Sequence, residues 1–220
     1  MHSPAHCARR IRASTLTGPA ATETAFKAHA PSHRVIHVAT HGFFLGGRCA
    51  PTVDHARGIA KLAVDGDPNP PPMAAESPLL LSGLALAGAN NRDLARPDED
   101  DGILTAEEIA ALDLSGVEWA VLSACDTGVG NPQTGEGVFG LRRAFQVAGA
   151  QTLIVSLWAV EDEPARAWMR ALYEARLVKR MDTAESVREA SLTVLRKRRE
   201  NGESTHPFYW AGFVAAGDWR

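Results

Sequence analysis

A chain of 220 residues with 45% hydrophobic content can bury one substantial core, so a single domain is the default architecture. The net charge of −3 and the pI near 6.2 leave no global basic field for nucleic acid. No apolar stretch reaches the ~20 residues of a bilayer span, which argues against a membrane protein.

Residues 1–16 lack both periodicity and the apolar core of a secretory signal, and are expected to form an unpatterned leader before a domain over 17–220. Cys7, Cys49 and Cys125 are widely spaced and odd in number, which gives no disulfide framework and fits a reducing, cytoplasmic setting. Thr22 to Ala30 reads as a short helix with Thr22 at its N-cap, and Val35 to Thr40 as a buried, β-branched strand. Phe43 to Ser77, with its Pro68 to Met73 run, is a long irregular stretch. Leu79 to Leu86 reads as two apolar runs split by Ser82 and Gly83, a strand with a bulge or a turn.

Thr105 and Glu108 form a capping box that starts a helix. Val117 to Ser123 is continuously apolar, as a central parallel strand should be. Glu136 to Ala148 is amphipathic and closed by Gly149, and Thr152 to Leu157 is a further strand. Pro164 marks the start of the next helix, Asp182 and Glu185 cap another, and Phe208 to Ala216 reads as a last strand. Strands alternating with helices imply a mainly parallel central sheet flanked by helices on both faces, with ligands at the carboxyl ends of the strands.

Two side chains stand at such ends. His41 follows the strand VIHVAT and is backed by Gly42; Cys125 follows VLSA and is backed by the turn Asp126-Thr127-Gly128. A thiol and an imidazole carried off two buried strands are the parts of a cysteine nucleophile and its base. Although 84 residues separate them, neighbouring strands lie only ~4.8 Å apart, so both can face one cleft.

Other clusters have plainer readings. His37 lies two pleats from His41 in a segment without the Glu of a zinc-protease helix, and is expected to be a hydrogen-bonded core histidine. Asp98 to Glu108 approaches a calcium loop, but Pro97 stands at the first ligand position, so an EF-hand is excluded and only loose calcium binding is left open. Gly128, Gly130, Gly135 and Gly137 lack a following Gly-Lys-Ser/Thr, which argues against a phosphate loop. Arg196 to Arg199 complement a helix C-terminus. No metal or other cofactor is expected.

HVATHGFF, DGILTAEEIAALDLSGVEWAVLSACDTGVG, GEGVFGLRRAFQVAGAQTLIVSLWAV and HPFYWAGFVAAGDW together resemble the CHAT family. These are bacterial caspase-like cysteine peptidases of clan CD, related to caspases and separases and often fused to tetratricopeptide repeats. The resemblance implies a caspase-like three-layer α/β sandwich and a cysteine endopeptidase acting on a protein substrate. His41 would be the catalytic histidine and Cys125 the nucleophile, with the backbone N–H groups of Gly42 and Cys125 forming the oxyanion hole. Asp162 matches an acidic residue that recognises a basic P1 side chain in separases; its alternative role, shared with Glu163, is to cap the helix that Pro164 begins. Asp126 can shape the same pocket or serve only the turn. A tetratricopeptide-repeat module is the expected regulatory partner. Because family members usually carry more sequence before the block beginning at Thr17, the sheet is expected to lack one edge strand. A catalytically silent, protein-binding module is the rival reading.

Overall fold

The computed structural model describes residues 13–44, 79–96, 99–123 and 136–218. In chain order these contain helix α1 (Glu23–His29) and strands β1 (Val35–Val38), β2 (His41–Phe44), β3 (Ser82–Ala85) and β4 (Ile103–Thr105). Helix α2 (Ala106–Ala110), strand β5 (Trp119–Leu122), helix α3 (Glu136–Val147) and strand β6 (Thr152–Ser156) follow. Helices α4 (Asp162–Tyr173) and α5 (Thr183–Glu200) and strand β7 (Phe213–Gly217) complete the set.

The principal sheet has the order β1-β5-β6-β7. Its first three strands are parallel and β7 runs antiparallel to β6. Every residue of β5 and β6 is buried, which is why both read as unbroken apolar runs. Alternation along β5 divides the core: Ala120 and Leu122 face Leu141 and Phe145 of α3, whereas Trp119 and Val121 join Trp168 and Leu172 of α4. The fold is therefore mixed α/β, a mainly parallel sheet with helices on both faces.

Local chemistry sets the helix ends as expected. Thr22 accepts from Ala25 N–H at 3.1 Å, the Thr105 and Glu108 capping box is present in both directions, and Asp182 accepts from Glu185 N–H at 2.7 Å. Gly149 closes α3 with a positive φ of 101°. Two indole N–H groups pin the outer helix layer: Trp168 donates to Ser191 Oγ at 3.0 Å and Trp119 to Thr183 Oγ1 at 3.1 Å.

The structure departs from the sequence reading at five places. Strand β1 ends at Val38, and His41 opens a new strand instead of closing the first. Strands β2, β3 and β4 form a separate antiparallel sheet, with His41 opposite Ala85 and Ala85 opposite Ile103. Ser82 and Gly83 do not split an apolar run; they lie inside β3. The reason is spatial: a Cβ on Gly83 would sit 2.7 Å from Leu104 O and 2.8 Å from the Phe43 ring. His37 is hydrogen-bonded to the Tyr173 hydroxyl at 3.0 Å but is exposed, because β1 is the edge of the described sheet. Finally, only Phe213 onward forms β7, since Pro207 starts a 3-10 turn whose Phe208 stacks on Trp158 at 6.0 Å.

The 43–77 stretch lies almost wholly outside the described residues, as do all three cysteines. Among the described residues, no helix is long and apolar enough to cross a membrane. Gly83→Ala is expected to destabilise the fold by about 1–3 kcal/mol, because the closest obstacle is a backbone oxygen that cannot swing aside. Calorimetry checks this, and an unchanged melting temperature would show that β3 and β4 part without cost.

Candidate active site

The parallel pairing of β1 with β5 matches Val38 to Leu122. Just beyond, Ser123 N–H donates to Val38 O at 2.9 Å, so the two chains are still joined as they leave the sheet. His41 lies three residues past Val38, and Cys125 lies three residues past Leu122 in the sequence. Cys125 and Asp126 themselves fall outside the described residues, as do Gly128, Gly130 and Gly135 of the glycine-rich stretch.

On the other side of β5, Leu122 pairs with Val155 of β6, and Asp162 follows the end of β6 by six residues. The three parallel strands β1, β5 and β6 thus end on the same side of the sheet, with β5 in the middle. That end is where open α/β sheets bind ligands.

His41 is exposed and Gly42 is buried. The turn between β1 and β2 is tied down by Thr40, whose hydroxyl donates to Ala85 O, the residue facing His41 across the small sheet. Asp162 is exposed in the first turn of α4 and does not cap it. The N-cap is Glu161, whose side chain makes no capping hydrogen bond. Glu161, Asp162 and Glu163 are all exposed, which makes a local anionic rim that the helix dipole favours.

Nearby, α1 meets the acidic turn before β4 in a cluster the sequence did not disclose. The carboxylates of Glu23, Asp100 and Glu108 lie within 4.8 Å of one another. The Lys27 ammonium stands between them, 2.6 Å from Glu23, 2.8 Å from Asp100 and 2.9 Å from Glu108. The space where the acidic loop could have held a cation is therefore taken by a lysine. The visible signal was the Glu23 and Lys27 pair one helical turn apart; its partners are 73 and 81 residues from Lys27 and could not be inferred.

Burial pushes the Glu23 carboxyl up to about 7, against the pull of Lys27. Burial also opposes the charge on Glu108, but its bonds from Lys27 and Thr105 outweigh this and hold it below the usual carboxylate range. The bonds from Lys27 and Thr24 lower Asp100 as well. Lys27 itself is desolvated, yet its three carboxylate partners raise it above the ordinary lysine range.

Comparison with known proteins gives two findings. The CHAT domain family profile matches residues 5–218. Tetratricopeptide repeat protein 28 of Mus musculus is 34% identical over 115 residues, which cover 52% of this chain and 4% of that protein. The Homo sapiens protein of the same name is 31% identical over 121 residues, 55% of this chain and 5% of its own length. The chain thus spans a small fraction of the curated relatives it matches.

Because Asp162 caps nothing, Asp162→Asn should change folding stability by less than ~1 kcal/mol, the limit for an exposed charge at a helix N-terminus. Equilibrium denaturation in urea measures this. A larger loss would return Asp162 to a structural role.

Proposed function

The chain belongs to the CHAT domain family, and from that premise we propose that it is a caspase-like cysteine endopeptidase acting on a protein substrate. The observation that supports the reading is the Val38 and Leu122 register, which ends β1 and β5 together, three residues before His41 and Cys125 in the sequence. Family membership favours this chemistry, and the register favours the proximity it requires.

In this reaction the Cys125 thiolate attacks the scissile carbonyl carbon, and the carbonyl oxygen becomes an oxyanion held by the backbone N–H groups of Gly42 and Cys125. The C–N bond breaks as His41 gives its proton to the leaving amine, which leaves a thioester on Cys125. Water, deprotonated by His41, then adds to the thioester carbonyl. Its collapse releases the carboxylic acid product and restores the thiolate and the imidazolium. No metal is required at any step.

Asp162 is proposed to receive a basic P1 side chain. It is exposed, and it stands in an acidic run at the start of α4, six residues past the end of β6, the strand beside β5. Asp126, beside the nucleophile in sequence, is proposed as a second wall of that pocket. The names of the two mammalian relatives favour a tetratricopeptide-repeat module as the regulatory partner. A cytoplasmic setting is proposed on the cysteine usage alone.

A thiol-directed activity probe should label the wild-type protein, fail on Cys125→Ala, and label His41→Ala roughly 100-fold more slowly, the usual worth of a positioned acid–base group. A folded protein that takes no label would instead be a protein-binding module without catalysis. With a peptide library, Asp162→Ala should lose cleavage after Arg and Lys while keeping its fold. An unchanged preference would remove Asp162 from the pocket.

A further inference from the structure

The acidic clasp is joined to the strand that carries His41 by an unbroken line of hydrogen bonds. Glu23 is 2% exposed, and its Oε2 accepts from Gly102 N–H at 3.0 Å. Gly102 O then accepts from Leu86 N–H at 2.7 Å, immediately after β3. Within β3, Ala85 pairs with His41 and its carbonyl accepts from the Thr40 hydroxyl. The start of α1 is tied to the same place, since Ala87 N–H donates to Ala21 O at 2.9 Å.

Gly102 has little freedom to adjust. Its φ is 84°, and a Cβ there would strike the backbone of Gly88 and Ala89. Whatever moves the Glu23 carboxyl therefore moves the turn that leads into β4 and, through Leu86, the end of β3.

We propose that Glu23 is a positioning residue for His41: its neutral carboxyl, sharing a proton with Glu108, locks the Gly102 turn, and its ionisation loosens the small sheet. The proposal rests on the reading of His41 as the catalytic base.

The charges around Glu23 explain why a proton belongs there. Lys27 faces it from its own helix, Asp100, Asp101 and Glu99 from the acidic turn, Glu108 from α2, and Arg92 from the 3-10 turn Ala89–Leu94. Arg92 is engaged by Asp101 at 3.0 Å, which leaves one ammonium for the three carboxylates of Glu23, Asp100 and Glu108. With all three ionised the cluster carries an excess of two negative charges beside a small cavity of about 210 Å³. One shared proton removes the closest like-charge repulsion: with the proton on Oε1 the carbonyl oxygen Oε2 still accepts from Gly102 N–H, while the Lys27 ammonium is left to Asp100 and Glu108.

The direction with pH follows. Glu23 is raised from its ordinary 4.5 to about 7, so its contribution to stability is complete below 4.5 and is lost as pH rises through about 7. Asp100 and Glu108 are lowered, so theirs is present at neutral pH and is lost in acid. The clasp is therefore tightest in mildly acidic solution and slackens above neutrality.

Amide hydrogen exchange from about pH 5.5 to about pH 8.5, corrected for the intrinsic rate, tests this without requiring activity. In the wild type, protection at Gly102 and Leu86, and at the His41–Phe44 strand, should fall together by roughly tenfold or more as pH passes 7. Glu23→Gln, which stays neutral, should show no such step. Asp100→Asn leaves Lys27 freer to pair with Glu23 and should move the step to lower pH; it serves as the test if Glu23→Gln does not fold. A flat wild-type profile, the same step in Glu23→Gln, an unmoved step in Asp100→Asn, or a step at Gly102 that leaves the His41 strand untouched would each overturn the proposal. The thiol probe is read on the same samples. No labelling at any pH, with the exchange step intact, would sink the peptidase reading while leaving the link from Glu23 to the His41 strand standing.

Discussion

Strand β5 is the constraint from which the rest of the molecule follows. It is buried at every position on both faces, so it must have a strand on each side and a helix layer above and below. Those demands fix β1 and β6 as its parallel neighbours and set α3 against Ala120 and Leu122, α4 against Trp119 and Val121. A one-residue slip of β5 would turn Trp119 and Val121 into the α3 side of the core, which is why the register is tightly held. Because the register is held, the exits from β1, β5 and β6 are held as well. The common end of these three strands is thus a by-product of core packing.

The small sheet obeys different physics. Its strands are short, it is antiparallel, and it includes a glycine that has no side chain to contribute. What fixes it is a set of polar ties at its margins: the Thr40 hydroxyl on Ala85, Leu86 on Gly102, and the Glu23, Lys27, Asp100 and Glu108 clasp. Polar ties of this kind respond to pH and salt, whereas an apolar core does not. The two halves of the proposed dyad therefore depend on supports of different character. The segment after β5 leaves a dry core, and His41 leaves an electrostatically fastened sheet.

How far the sequence discloses this depends on how local each cause is. Capping at Thr22, Thr105 and Asp182 needs only three or four neighbouring residues, and all three caps are where the sequence suggests. Strands β5 and β6 declare themselves because burial on both faces leaves an uninterrupted apolar run. The β2, β3 and β4 sheet does not, since β2 pairs with residues about 40 positions away and β3 with residues about 20 away, and Gly83 reads as a breaker until Phe43 and Leu104 are seen to occupy its Cβ space. His37 reads as a core histidine because its segment lacks the Glu of a zinc-protease helix, yet among the described residues β1 is the edge of its sheet. Asp162 reads as a cap because Pro164 follows, but the helix begins one residue too early for that role.

The acidic turn shows most clearly what local reading omits. Asp98 to Asp101 suggests a cation, and the fold does supply one, but from a lysine on α1. The substitution of ammonium for metal has a consequence in charge. A divalent ion among Glu23, Asp100 and Glu108 would leave all three ionised with an excess of one negative charge, whereas one Lys27 leaves an excess of two. Burial, which raises the Glu23 carboxyl to about 7, favours a proton on the most buried of the three acids, where ionisation is costliest. A calcium-binding turn would have reported on calcium; this arrangement can report on pH, through the same residues and against the same strand.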